Sequence, residues 1–165
     1  MAAGDLLREQ LAGMIDGRDA HLPFDAAVRE FPAEAINRRA PNVPYTPWHL
    51  LEHIRTAQRD ILDYIRDRAY VAPAWPDEYW PARDAVATPA EFARTIESYQ
   101  LDRAALRELV ADPTVDLLAT IPGTPGHTIL REIRIVAGHG AYHVGEFAIL
   151  RQVMGTWPPG RDGDA

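Results

Sequence analysis

The chain of 165 residues contains no cysteine. That absence excludes disulfides, thiolate metal ligands and a protein thiol nucleophile together. Any metal must be held by nitrogen and oxygen atoms, and any thiol chemistry must use a thiol brought by a cosubstrate. Long apolar runs are missing too: no stretch approaches the roughly 20 residues needed to span a bilayer. Met1 to Leu11 intersperse Asp5, Arg8 and Glu9 with apolar residues, which interrupts the apolar run a signal peptide requires. Basic clusters are scarce. Lys+Arg 17 against Asp+Glu 24 leaves a formal net charge of −7. That sign argues against displacing counterions from phosphates, and no basic run offers a membrane anchor. The expectation is a soluble, cytoplasmic protein with neither nucleic-acid nor membrane partners.

Strand-like alternation and internal repeats are lacking as well. What is present is 47% hydrophobic and 25% charged residues, the balance of a globular domain, expected here as one unit over 1–165. Proline and glycine divide it into helical blocks. Residues 4–15 place Leu7, Leu11 and Met14/Ile15 on one stripe, and Gly17 ends that short helix. Residues 19–31 space Phe24, Ala27, Val28 and Phe31 as a second short helix, with Pro23 in its first turn. Pro32, Pro41 and Pro44 make 32–46 a connector. Thr46-Pro47 opens a long helix to about Asp67, with Leu50, Ile54, Ala57, Ile61, Tyr64 and Ile65 at spacings of three and four. Residues 70–87 are rich in proline and tryptophan and read as an ordered crossover. Thr88-Pro89-Ala90-Glu91 is a capping box that starts a helix to Ala111. After a turn-rich 112–127 with room for a short extended stretch, Thr128 caps a last helix to Met154, stopped by Gly155. The pattern predicts an all-α four-helix bundle with at least one non-hairpin connection.

The histidines carry the chemistry. His139 and His143 lie four residues apart, so both leave one face of the last helix, the face that also carries Val136, Phe147 and Leu150. Two imidazoles buried there need partners for their ring nitrogens, and a metal ion provides one. His53, between Leu50 and Ala57 on the inward stripe of the 47–67 helix, is the natural third ligand. Gly138, Gly140 and Gly145 interrupt the last helix as though a neighbour or ligand approached its backbone. Glu146 faces the same way: it can be a fourth ligand, an acceptor that orients an imidazole, or a proton-transfer group. Tyr142 is a lesser catalytic candidate. His49 forms its own i, i+4 pair with His53 but sits in a first turn beside Trp48. It is assigned to substrate or solvent rather than to metal. Trp48 and Trp80 are candidate pocket residues; Trp75, Tyr79 and Trp80 can wall the site, although plain packing competes. His21 and His127, near element ends, read as surface or structural residues.

The segments TPWHLLEHIRTAQRDI, WPDEYWP, ILREI and HGAYHVGEFAILR, in that order, strongly resemble the DinB/YfiT-like superfamily of metal-binding four-helix bundles. The resemblance runs from about Leu6 to Pro158. It implies an up-down-down-up bundle, here with a short additional N-terminal helix and the Trp/Pro-rich crossover, and frequent homodimerisation. It also implies one divalent metal on His53, His139 and His143, with open positions filled by water. Activities in the family include thiol-dependent S-transfer and isomerisation and metal-dependent hydrolysis; a role on DNA is not implied. Gly140 and Glu146 stand where many relatives have asparagine and glutamine, and His49 where histidine is uncommon. The resulting expectation is a metal-dependent enzyme of transferase or hydrolase type, using zinc, nickel or iron(II) and a small-molecule substrate, with or without a low-molecular-weight thiol. The competing expectations are a non-catalytic metal- or ligand-binding dimer and a helical interaction module without metal.

Overall fold

Three of the helices start on a threonine. In a computed structural model that describes residues 3–18 and 20–159, Thr46, Thr88 and Thr128 each accept a hydrogen bond from the backbone N–H three residues on, at 3.2 Å. Each satisfies a donor that the first turn leaves without an intrahelical partner. The expected domain limits at residues 1 and 165 and the expected helix start at residue 19 lie outside the described residues. The helices are α1 (Ala3–Ile15), α2 (Phe24–Val28), α3 (Pro47–Arg66), α4 (Pro89–Ala111) and α5 (Ile129–Met154). Short 3₁₀ turns occupy Ala33–Ala35 and Asp77–Tyr79. Gly155, at φ 63°, ends α5 in the left-handed conformation and returns its N–H to Arg151. Among the described residues there is no strand, only an isolated antiparallel bridge between Thr120 and Thr128.

Helix directions follow from the bonds between helices. Trp48 reaches Thr95, Gln58 reaches Tyr99 and Arg59 reaches Asp102, so α3 and α4 run parallel. His53 meets His139 while Tyr64 meets His127, so α3 and α5 run antiparallel. Arg8 bonds the Val110 carbonyl whereas Asp16 pairs with Arg107, which sets α1 against α4. The order is up-down-down-up over α1, α3, α4 and α5. Helices α1 and α3 each pack on both α4 and α5. The short helix beyond the four is therefore α2, and α1 is a wall of the bundle rather than an addition to it. Helix α2 is also shorter than its apolar spacing suggested. Pro23 is its N-cap, Arg29 turns extended and Glu30 takes φ 52°, ending the helix after Val28.

Two apolar clusters fill the bundle. One gathers Leu11, Ile15, Leu62, Leu106, Val110 and Ile133; the other gathers Phe24, Leu50, Ile54, Phe92, Tyr99 and Phe147. Fully buried members such as Leu106, Ile133 and Phe147 contribute about 1.5–3 kcal/mol each by leaving water. Phe147 sits one turn from His143 and Val144 directly follows it, so this packing fixes the α5 face that meets α3. No helix among the described residues is long and apolar enough to cross a membrane.

Candidate metal centre

His53 lies on the buried stripe of α3 with Leu50, Ile54 and Ala57, and is 2% exposed. Its Nδ1–H donates to the Tyr79 carbonyl at 2.9 Å, which leaves the lone pair on Nε2. That Nε2 is 3.2 Å from Nε2 of His139 on α5. One turn on, Nδ1 of His143 bonds Glu146 Oε2 at 2.6 Å, so its free nitrogen is Nε2 as well. The three rings meet edge to face, with centroids 4.5–5.0 Å apart, around a shared point instead of stacking. One ring nitrogen from each residue lies within 4.8 Å of the others.

These nitrogens suit a cation. Burial, followed by the nearby His143 and His53 imidazoles, pushes the pKa of His139 down to about 4. Burial lowers that of His53 too, against the opposing pull of the Tyr79 carbonyl. Both rings are therefore neutral near pH 7 and offer lone pairs. Two nitrogens at bond lengths of about 2.0–2.1 Å from one ion, 3.2 Å apart, subtend about 100° there, between octahedral and tetrahedral values. The His143 nitrogen, within 4.8 Å of the other two, completes the set by moving toward them. Among the described residues the cluster stops at three histidines. A divalent ion held this way keeps positions for water or a substrate.

Aromatic side chains enclose the trio. Trp80, from the crossover, lies flat on His53, with centroids 3.9 Å apart and an interplanar angle of 6°. Tyr45, just before the α3 cap, packs on Trp80 at 5.4 Å and donates its hydroxyl to Glu146. Burial, then the Glu146 carboxylate, raises the Tyr45 pKa well above the usual phenol value, so it remains a donor. Tyr142 sets its edge against His143 at 4.8 Å but is 71% exposed. The crossover is pinned by Asp60 on α3, which accepts from the Tyr70 hydroxyl and hydrogen-bonds the Tyr79 side chain. This tether carries the Tyr79 carbonyl to His53.

The family model of the DinB superfamily matches residues 23–147, about three-quarters of the chain and a span that holds all three histidines. The chain belongs to the DinB superfamily. Searches of the curated proteins and of the solved structures found no match.

Within this DinB bundle, several residues stand elsewhere than their spacing suggested. His49 does not face solvent. It is 3% exposed, its Nδ1 accepts from the Thr46 N–H at 3.4 Å, and its Nε2–H donates to the Ala85 carbonyl at 2.9 Å. Both nitrogens are spent on capping α3 and holding the crossover. Trp48 points to the α3–α4 seam, where Nε1–H donates to Thr95 at 3.2 Å, away from the trio. Trp75 is 72% exposed and touches Tyr79. Glu146 is outside the convergent group and, in one of the three roles its spacing offered, accepts from His143. Of the helix glycines only Gly140 is closely approached: a Cβ there would come 3.3 Å from the Tyr99 hydroxyl. Gly138 and Gly145 face open space, so close approach does not explain them. His21 is exposed, and His127 bonds the Tyr64 hydroxyl at 2.8 Å. Sequence reasoning missed Tyr45, Asp60 and the Tyr79 carbonyl. The first occupies the apolar position that precedes a helix cap, a usable signal; a backbone carbonyl leaves none.

Proposed function

We propose that this DinB-family chain is a metal-dependent enzyme acting on a small molecule, by thiol-dependent S-transfer or isomerisation or by hydrolysis. The observation that carries the reading is the convergence of three imidazoles, from two helices, with no carboxylate among them. A divalent ion there keeps its full charge and lowers the pKa of a water or thiol that it binds. Zinc, nickel and iron(II) all accept such nitrogen ligands. The chain's own part is to orient and to cover. Tyr79 directs the lone pair of His53 inward, and Trp80 shields the ring of that histidine from water. His139 and His143, only partly buried, leave an approach from outside. Since the chain has no cysteine, a reacting thiol must enter as a cosubstrate. A thiol kept reduced fits a cytoplasmic setting.

A homodimer belongs to the same proposal: the outer face of α5 exposes Tyr142, Ile149 and Val153 as apolar surface. Light scattering at twice 18.4 kDa is the expected result, and a mass of one chain counts against it.

The enzymatic reading is tested by turnover. Metal-loaded protein is mixed with small thiols and electrophiles, and separately with esters and amides. Consumption that stops on chelation and is absent in His53→Ala supports it. Full metal loading with no consumption over a broad panel leaves the non-catalytic metal- or ligand-binding protein in its place.

A further inference from the structure

Glu146 is the carboxylate that touches the trio, and both of its oxygens are occupied. Oε2 accepts from His143 Nδ1–H at 2.6 Å, and Oε1 accepts from the hydroxyl of Tyr45, 101 residues away in sequence. We propose that Glu146, braced by Tyr45, is a positioning residue of the metal centre that holds His143 in the tautomer and rotamer whose Nε2 faces His53 and His139. The proposal rests on the metal-binding reading and assigns a role to side chains beyond the three ligands.

A neutral imidazole carries its proton on either nitrogen, and only one tautomer presents Nε2 as a ligand. For His53 the Tyr79 carbonyl makes that choice. For His143 the same task falls to the Glu146 carboxylate, whose charge strengthens the bond beyond that of a neutral acceptor. A helical His–Glu pair three residues apart is commonplace on a surface. Here the carboxylate is also tied to a different part of the chain. Tyr45 directly precedes the Thr46 cap, so the turn that starts α3 fixes its backbone. Its ring leans on Trp80, which lies flat on His53, which meets the edge of His143. The contacts close into a circuit from Tyr45 through Glu146, His143, His53 and Trp80 back to Tyr45. Through it one tyrosine steadies ligands on both helices.

The test is a chelator-competition titration with zinc on the full chain: wild type, Glu146→Gln, Glu146→Ala, Tyr45→Phe and the Tyr45→Phe/Glu146→Ala double variant. Glu146→Ala should weaken zinc binding by about 10–100-fold. Glu146→Gln, which keeps an acceptor oxygen without the charge, should fall between it and wild type. Tyr45→Phe should weaken binding several-fold in wild type and by less than about two-fold once Glu146 is alanine, because its effect travels through that carboxylate. Cobalt-substituted protein adds a readout that simple destabilisation would not move. Its visible bands should shift in Glu146→Ala and return toward wild type in Glu146→Gln. Should Glu146→Ala not fold, the near-isosteric glutamine variant decides. Unchanged affinity in both Glu146 variants, or a Tyr45→Phe effect independent of Glu146, overturns the proposal while leaving the three-histidine reading intact. A coordination number by X-ray absorption that loses one protein ligand in Glu146→Ala also overturns it, since Glu146 would then be a ligand. No zinc binding by wild type ends both.

Discussion

His49→Ala separates the two histidines of the 49/53 pair. The substitution removes the Nε2–H bond to the Ala85 carbonyl and the Nδ1 acceptor for the Thr46 N–H, both in a site 3% exposed. The 2.9 Å bond matters more than the 3.4 Å one, and the abandoned carbonyl is the larger part of the cost. Losing these partners together with the packing of a buried ring should destabilise the fold by about 2–4 kcal/mol. For a chain of this size that lowers Tm by about 4–16 °C. Glutamine, which serves well at this position of a capping box, should recover part of the loss. Metal content, measured alongside by elemental analysis, should equal that of wild type, because both ring nitrogens of His49 are engaged elsewhere. The assay is a thermal melt followed by circular dichroism on the metal-free variants. An unchanged Tm together with lost metal would refute the assignment and return His49 to the site.

Two further predictions concern the metal-free protein. The folded-state pKa of His139 is depressed to about 4, and those of His53 and His49 lie below the imidazole value, all first through burial. The unfolded chain, with histidines near 6.5, therefore binds protons before the folded one does. The stability these groups contribute is fully present above about pH 6.5 and falls as pH drops toward about 4, so the urea midpoint should decline across that window. A flat midpoint there would contradict the burial that lowers the pKa values of His139, His53 and His49. Gly138→Ala and Gly145→Ala, whose added methyl meets nothing within 4 Å, should each stabilise α5 by about 0.5–1 kcal/mol, read as a higher Tm. Gly140→Ala should gain less or lose, since the Tyr99 hydroxyl stands 3.3 Å from the new atom.

Much of the bundle was legible from local chemistry. Threonine caps with proline behind them marked the starts of α3 and α4, and Gly155 marked the end of α5, because those signals act within a few residues. The convergence of the three histidines was legible because spacing of four on α5 and an inward position on α3 leave few ways to pack. What escaped depends on contacts distant in sequence. Helix α1 looks like an appendage, with Leu7 and Met14 both 39% exposed. Arg8 ties it in through the carbonyls of Val110 and Val115, more than a hundred residues away. By spacing alone, His49 and His53 are as good a pair as His139 and His143. The Ala85 carbonyl, delivered by the crossover, decides between them. Tyr79 acts on the site through its backbone, which no side-chain pattern encodes.

The convergence of His53, His139 and His143 on one cation is tested most directly by elemental analysis. Wild type and His53→Ala, purified without a nickel column and offered the same metals, are measured side by side. One equivalent of a divalent metal per wild-type chain and almost none in the still-helical variant is the predicted result. Equal metal in both, or none in either, would contradict it.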